Sequence, residues 1–332
     1  MARRRSTTVF AVVAVGSVGR AVVRRARAIR AVPPELRHPV LWVPFDVRNR
    51  WLLTLMRRAR LPRAPIDSRV RWRRVTVPGT SPGATVTVHC YDPVGRVAPT
   101  GALLWIHGGG FIMGSAEDYH GNCAQYALEA GILVVSVEYR LAPEHPYPAG
   151  LDDCVAALRW LHAEAAALGV DAARIAVGGD SAGGGLAAAL AQVATDDGSL
   201  PLRMQLLVYP MLDDRTDQPS QQSGHGQLIW NAPSNVFAWR CYLGTVPAAA
   251  PAVPARRDDL RGLPPAWIGT GTLDLFHDED VAYATRLQAA GVACALVVVP
   301  GMYHGGDTIP TGSPMARAFT AASIAALREA LA

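Results

Sequence analysis

In Arg174-Ile175-Ala176-Val177-Gly178-Gly179-Asp180-Ser181-Ala182-Gly183-Gly184, a short β-rich run ending at Val177 meets a G-x-S-x-G motif, and a predicted helix follows over Ala182–Ala194. A strand-to-helix turn this tight tolerates only small flanking side chains and leaves the Ser181 hydroxyl exposed above the strand ends. The competing reading is a glycine-rich turn that cradles phosphate. It lacks the G-x-G-x-x-G spacing and the acidic anchor that such a turn needs.

Outward from this turn the chain alternates strand and helix. Val70–Val77 and Ala84–Tyr91 are β-rich and separated by Pro-Gly turn residues, which predicts an antiparallel pair. Ala102–Ile106 and Ile132–Val137 are continuous apolar runs, as strands buried on both faces must be. A helix is expected over Asp152–Leu168, strands over Arg203–Val208, Ala266–Thr270 and Ala293–Val299, and helices over Glu279–Ala290 and Ser313–Leu331. This order predicts an α/β fold: a mainly parallel central sheet flanked by helices. Residues 211–256 break the alternation with polar, Pro-rich sequence and read as a lid or a cluster of surface loops.

A serine hydroxyl is a weak nucleophile at neutral pH, so Ser181 needs a general base and donors for the oxyanion that its attack creates. His107-Gly108-Gly109-Gly110 follows a predicted buried strand, and consecutive glycines free backbone N–H groups for a reacting carbonyl. The expected oxyanion donors are Gly108, Gly109 and Ala182, with His107 tying down the loop. His304, just after the strand Ala293–Val299, is the expected base, and Asp274, just past Ala266–Thr270, the acid that orients it. Asp278 and Asp280 compete for the acid role but fall in the first turn of a helix, where carboxylates are favoured anyway. Asp180 reads as an anchor of the turn. The catalytic order Ser181, Asp274, His304 is that of α/β hydrolases, unlike either protease arrangement.

Three ordered motifs resemble the hormone-sensitive-lipase-like bacterial esterases of the GDSAGG branch: His107-Gly108-Gly109-Gly110-Phe111, Tyr139-Arg140-Leu141-Ala142-Pro143-Glu144-His145-Pro146-Tyr147-Pro148-Ala149, and Gly179-Asp180-Ser181-Ala182-Gly183-Gly184. The resemblance covers roughly residues 70–332. It implies an α/β-hydrolase body with a helical cap, acting as a serine carboxylesterase on short- to medium-chain esters without a cofactor or metal. By the family's pattern residues 1–65 would be a basic helical arm contributing to the cap, and 66–332 the catalytic domain with 211–256 as the cap insertion. The family's D-P-L-x-D-E reads here Asp274-Leu275-Phe276-His277-Asp278-Glu279, and its His-Gly-Phe reads His304-Gly305-Gly306; neither departure removes a reacting group. Glu144 and Asp153 are expected in buried structural ion pairs, and Trp42, Trp51, Trp230, Phe237 and Trp239 along the cap. An amidase or acyltransferase with the same triad stays open. A non-catalytic receptor on this fold, as the plant gibberellin receptors are, is disfavoured because His304 is retained.

Of 332 residues half are hydrophobic, enough for a sizeable buried core. All 32 basic residues are arginine. Without lysine there can be no Walker A loop, protein-kinase site, pyridoxal Schiff base or S-x-x-K lactamase site. Residues 1–74 hold 19 arginines against 3 acidic residues and residues 75–332 hold 13 against 24, a basic arm on an acidic body. The fourteen uncharged residues from Ser6 to Gly19 are too few for a spanning helix, and no cleavage site of a signal peptide follows them. Val15, Val18, Val22, Ala26 and Ile29 instead recur at helical spacing, with Arg20, Arg24 and Arg27 along another face. The expectation is a cytoplasmic enzyme whose partner is a small-molecule ester, with no nucleic acid. Peripheral membrane contact through residues 1–30 and a homodimer stay open. Five widely spaced cysteines without C-x-x-C read as reduced, mostly buried thiols.

Overall fold

The computed structural model describes residues 22–58, 65–216, 226–309 and 312–332. Eight strands, β1 (Val70–Pro78), β2 (Thr85–Pro93), β3 (Thr100–Ile106), β4 (Leu133–Glu138), β5 (Val170–Asp180), β6 (Met204–Val208), β7 (Ala266–Gly271) and β8 (Cys294–Val299), form one sheet in the order β1-β2-β4-β3-β5-β6-β7-β8. β1–β2 and β2–β4 pair antiparallel and every other neighbour is parallel, so the sheet is mainly parallel as the alternation requires.

The central strands are apolar on both faces because both faces are covered. Along β3, Ala102, Leu104 and Ile106 enter one core while Leu103 and Trp105 enter the other; β5, β6 and β7 divide likewise. Helices α4 (Ala149–Ala163), α5 (Ala182–Asp197) and α7 (His277–Ala289) contribute Leu158, Leu190 and Leu287 to the first core. Helices α3 (His120–Ala130) and α8 (Pro314–Leu331) contribute Tyr126 and Leu327 to the second. A residue period of two thus sorts each strand between two layers of helix.

Four sequence expectations are revised. The predicted helix Asp152–Leu168 ends at Ala163: turn bonds from Gly169 N–H to Ala166 O and from Val170 N–H to Ala165 O redirect the chain, with Gly169 at φ 64°, so that β5 starts at Val170. Trp42 and Trp51 are 53% and 71% exposed and are not among the described residues that line the Ser181 cavity. Glu144 is not buried; its exposed carboxylate meets Arg57 at 3.0 Å. Residues 22–31 are helical (α1), but Val22 faces solvent while Ile29 is buried, and Val15, Val18 and Arg20 lie outside the described residues.

The 211–256 region holds α6 (Ala232–Leu243), capped by Asn231, whose side chain accepts from Ser234 N–H. Among the described residues, hydrogen bonds join this region to the N-terminal one: Asn231 Nδ2 donates to Phe45 O at 2.5 Å and Val47 N–H to Ser234 Oγ at 2.9 Å. Ahead of it stands α2 (Arg50–Arg58). Cys90, Cys123 and Cys154 are buried, Cys241 and Cys294 half-buried, and all five are free thiols. No described helix is long and apolar enough to cross a membrane.

Candidate active site

The parallel strands deliver three side chains to one edge of the sheet. Ser181 follows β5 directly at φ 54°, ψ −122°, a conformation an L-residue holds only when its surroundings enforce it. The enforcement is visible: Ser181 N–H donates to Val208 O, Ser181 O accepts from Met211 N–H and Gly185 N–H, and Gly183 lies so near the β3 end that a Cβ there would stand 2.1 Å from Ile106 O. Asp274 leaves the end of β7 and His304 the end of β8. The structure brings them together: Ser181 Oγ is 2.9 Å from His304 Nε2, and His304 Nδ1 is 2.9 and 3.1 Å from the two Asp274 oxygens. Asp274 is fully buried, and Phe276 N–H at 2.9 Å holds one of its oxygens. Of the two alternative acids, Asp278 is engaged by His277, and Asp280 is fully buried in α7, while the His304 Nδ1 bonds go to Asp274.

Burial pulls the His304 imidazole down, yet the charge and hydrogen bond of Asp274, joined by the charges of Asp180 and Asp307, outweigh it and leave the group above its ordinary value. Burial lifts Asp180 to about 7 against the lowering hydrogen bond from Tyr119 Oη, 2.7 Å from its carboxylate. Asp307 accepts from Tyr209 Oη at 2.9 Å, and the Tyr209 and Phe276 rings meet the imidazole edge-on at 4.8 and 5.2 Å.

The glycine loop differs from expectation by one residue. Gly108 N–H donates to Tyr119 Oη at 3.2 Å, so it is spent inside the loop and is not offered to a ligand. Gly109 and Gly110, at φ 113° and 61°, face the Ser181 cavity. Neither has room for a side chain, since a Cβ would stand 2.1 Å from Met113 O and 2.4 Å from Trp230. Ala182 opens α5, where free N–H groups and the positive end of the helix dipole converge on the serine. His107 is fully buried and held well below its ordinary value, at about 4, by that burial. Its ring stacks on Tyr139 at 4.2 Å, whose hydroxyl donates to His107 O, and its Nδ1 lies 2.8 Å from Gly108 O, which makes it a support of the loop.

The cavity above Ser181 measures about 330 Å³. Phe45, Met113, Ile229, Trp230 and Ile309 give it apolar walls; Tyr119, Asn122 and Tyr209 add polar points. Among the expected aromatics, Trp230 lines it, while Trp239 packs on Phe111 behind it. Tyr209, Asp307 and Phe45 were not singled out from the sequence. Tyr209 was accessible to that reasoning, because it directly follows a predicted parallel strand at the edge where the serine lies. Tyr119 carries no such signal: it reaches Asp180 across 61 residues. Asp153, by contrast, is buried as expected and accepts from both the Arg140 guanidinium and its N–H, pinning the 139–148 loop.

A serine held at such a turn, hydrogen-bonded to a histidine and through it to a carboxylate at the carboxyl edge of a mainly parallel sheet, defines an α/β hydrolase. A family model described as the alpha/beta hydrolase fold matches residues 103–307. The chain is 37% identical over 276 residues to Esterase LipI of Mycobacterium tuberculosis (strain ATCC 25618 / H37Rv), covering 82% of this chain and 86% of that one. It is 42% identical over 240 residues to Carboxylesterase NlhH of the same strain, covering 69% and 73%. Among solved structures it resembles Bacterial Heroin Esterase, with a TM-score of 0.81 at 35% identity over 92% of this chain and 99% of that one. The chain belongs to the α/β-hydrolase fold family, among its hormone-sensitive-lipase-like esterases.

Proposed function

We propose that the enzyme hydrolyses short- to medium-chain carboxylic esters through an acyl-enzyme on Ser181. The observation that carries this reading is the unbroken hydrogen-bond chain Ser181–His304–Asp274 at the floor of an apolar cavity. Ser181 Oγ attacks the ester carbonyl while His304 Nε2 takes its proton; Asp274 accepts from Nδ1–H and stabilises the imidazolium. The oxyanion is held by the N–H groups of Gly109, Gly110 and Ala182, each such donor contributing on the order of a hundredfold or more in rate. His304 then protonates the departing alcohol, the ester C–O bond breaks, and water activated by the same imidazole releases the acid. Residues 1–65 and 211–256 act as the cap, a reading supported by Phe45 and Trp230, one from each, meeting over the cavity at 6.0 Å between ring centres.

Ser181→Ala is expected to lower turnover of a short-chain p-nitrophenyl ester by at least about 10⁴-fold with an unchanged melting curve. Retained turnover would overturn the assignment. A series of acyl lengths on the parent protein reads the size limit set by Trp230 and Ile229.

A further inference from the structure

Ten large apolar side chains stand exposed among the described residues, and six of them, Val22, Val23, Trp42, Val43, Trp51 and Leu55, fall within residues 22–55. On these helices apolar side chains stand on the outer side as well as on the buried one, where Ile29 and Leu53 lie. On α2 the inner face is fixed by buried Leu53 and by Arg57, whose guanidinium donates to Ile112 O and Ala142 O at 2.7 Å each. Trp51 and Leu55, one turn apart, point the opposite way with Arg58 beside them. Arg25 on α1 donates to Leu41 O at 2.5 Å and Val43 O at 2.6 Å, which ties Trp42 and Val43 to the helix that carries Val22 and Val23.

The same stretch is also basic: among the described residues 22–58, Arg24, Arg27, Arg30, Arg37, Arg48, Arg50 and Arg58 are exposed, against the acidic Glu35 and Asp46. Arg24 and Arg27 pair with no acidic group among the described residues and line a cavity of about 390 Å³ with Gln227, Leu228 and Leu273. The 227–230 segment separates it from the substrate cavity, which Ile229 and Trp230 line on the other side.

We propose that α1, the 41–43 turn and the outer side of α2 dock on an anionic phospholipid membrane. Trp42, Val43, Trp51 and Leu55 enter the boundary between headgroups and acyl chains, where indole rings are favoured, and Arg24, Arg27 and Arg58 meet the phosphates. Charge selects this occupant over a second copy of the chain, because two such faces brought together would repel, whereas each arginine near an anionic surface strengthens binding about fivefold. Docking there sets the substrate cavity beside the bilayer.

The test is co-sedimentation of the full chain with vesicles of phosphatidylcholine, with and without phosphatidylglycerol. Binding is expected to require the anionic lipid, to weaken as salt rises, and to fall at least about tenfold in Trp51→Ser/Leu55→Ser and in Arg24→Gln/Arg27→Gln. Both variants should keep the parent melting curve and turnover of a soluble ester. Absence of binding, or equal binding by the variants, overturns the proposal. So does a dimer in sedimentation equilibrium that Trp51→Ser/Leu55→Ser dissolves, which would assign the face to a second copy. Bound protein is scored rather than turnover, so failure here leaves the esterase reading standing.

Discussion

At the scale of single residues, the charge environment of His304 sets the acid limb of the activity. In the proposed mechanism His304 must be neutral to take the serine proton, and Asp274, Asp180 and Asp307 overcome burial to hold its pKa above the ordinary value. The kcat/KM for a neutral ester is therefore expected to rise with pH through an ionisation above 6.5, the usual histidine value. Asp307→Asn removes one negative charge near the imidazole and should move that limb to lower pH while leaving the Ser181–His304–Asp274 chain in place; an unmoved limb would refute the assigned coupling. The meeting of Ser181, Asp274 and His304 was legible in the sequence because each lies within five residues of the end of a parallel strand, and parallel strands end at one edge. The proposed oxyanion donors differ by one glycine from those expected of the sequence. Gly108 and Gly110 are indistinguishable by composition, and the partner that consumes Gly108 N–H, Tyr119, comes from a separate turn.

At the scale of elements, the β5–α5 turn is tightly packed against the end of β3. A methyl group at Gly183 would stand 2.1 Å from Ile106 O and 2.5 Å from His107 O, both backbone atoms that cannot swing away. Gly183→Ala is expected to cost about 2 kcal/mol or more and to depress turnover with it, as read by urea titration and ester kinetics. A milder loss would mean that β3 yields at its end. The 226–256 region joins the N-terminal one differently, through hydrogen bonds at Phe45 O and Val47 N–H and the Phe45–Trp230 ring contact. Trp230→Ala is expected to cost about 3–5 kcal/mol, because the ring is buried, and to shift preference toward longer acyl chains, because the ring walls the cavity. Strand positions were legible because burial on both faces demands continuous apolar runs. The end of α4 was not, since Glu164–Leu168 suits a helix locally and yields only to the pairing of Val170 with Thr100.

Across the whole molecule, buried carboxyl groups tilt the dependence of stability on pH. Burial raises Asp180 to about 7, and burial reinforced by neighbouring acids lifts Asp280 well above its ordinary range; burial likewise lifts Glu279 against its hydrogen bonds. In the folded state these groups keep protons that the unfolded chain releases near 3.8 for aspartate and 4.5 for glutamate. The native state then binds more protons, so stability falls as pH rises, for Asp180 between 3.8 and about 7. His304, also raised, adds stability below 6.5 that is lost through its folded pKa, the same sign. Asp67 and Asp259, held at about 2 by hydrogen bonds from Arg69 and Arg261, act oppositely below about 4, and His107, pulled down by burial to about 4, acts oppositely between there and 6.5, against the larger number of raised carboxyl groups. The melting temperature is expected to decline from mildly acid to neutral pH, and Asp280→Asn to flatten that decline; a parallel curve would exclude Asp280 as a contributor. By itself the sequence determined the layered α/β architecture, the family and the three residues gathered at the serine, because period, turn chemistry and strand order are local properties that any α/β sheet converts into position. Only the tertiary structure decided which glycine N–H groups remain free, which aromatics wall the cavity and which face solvent. Those outcomes depend on partners distant in the chain, Tyr119 with Gly108 and Phe45 with Trp230, and distance across the chain leaves no mark in local sequence.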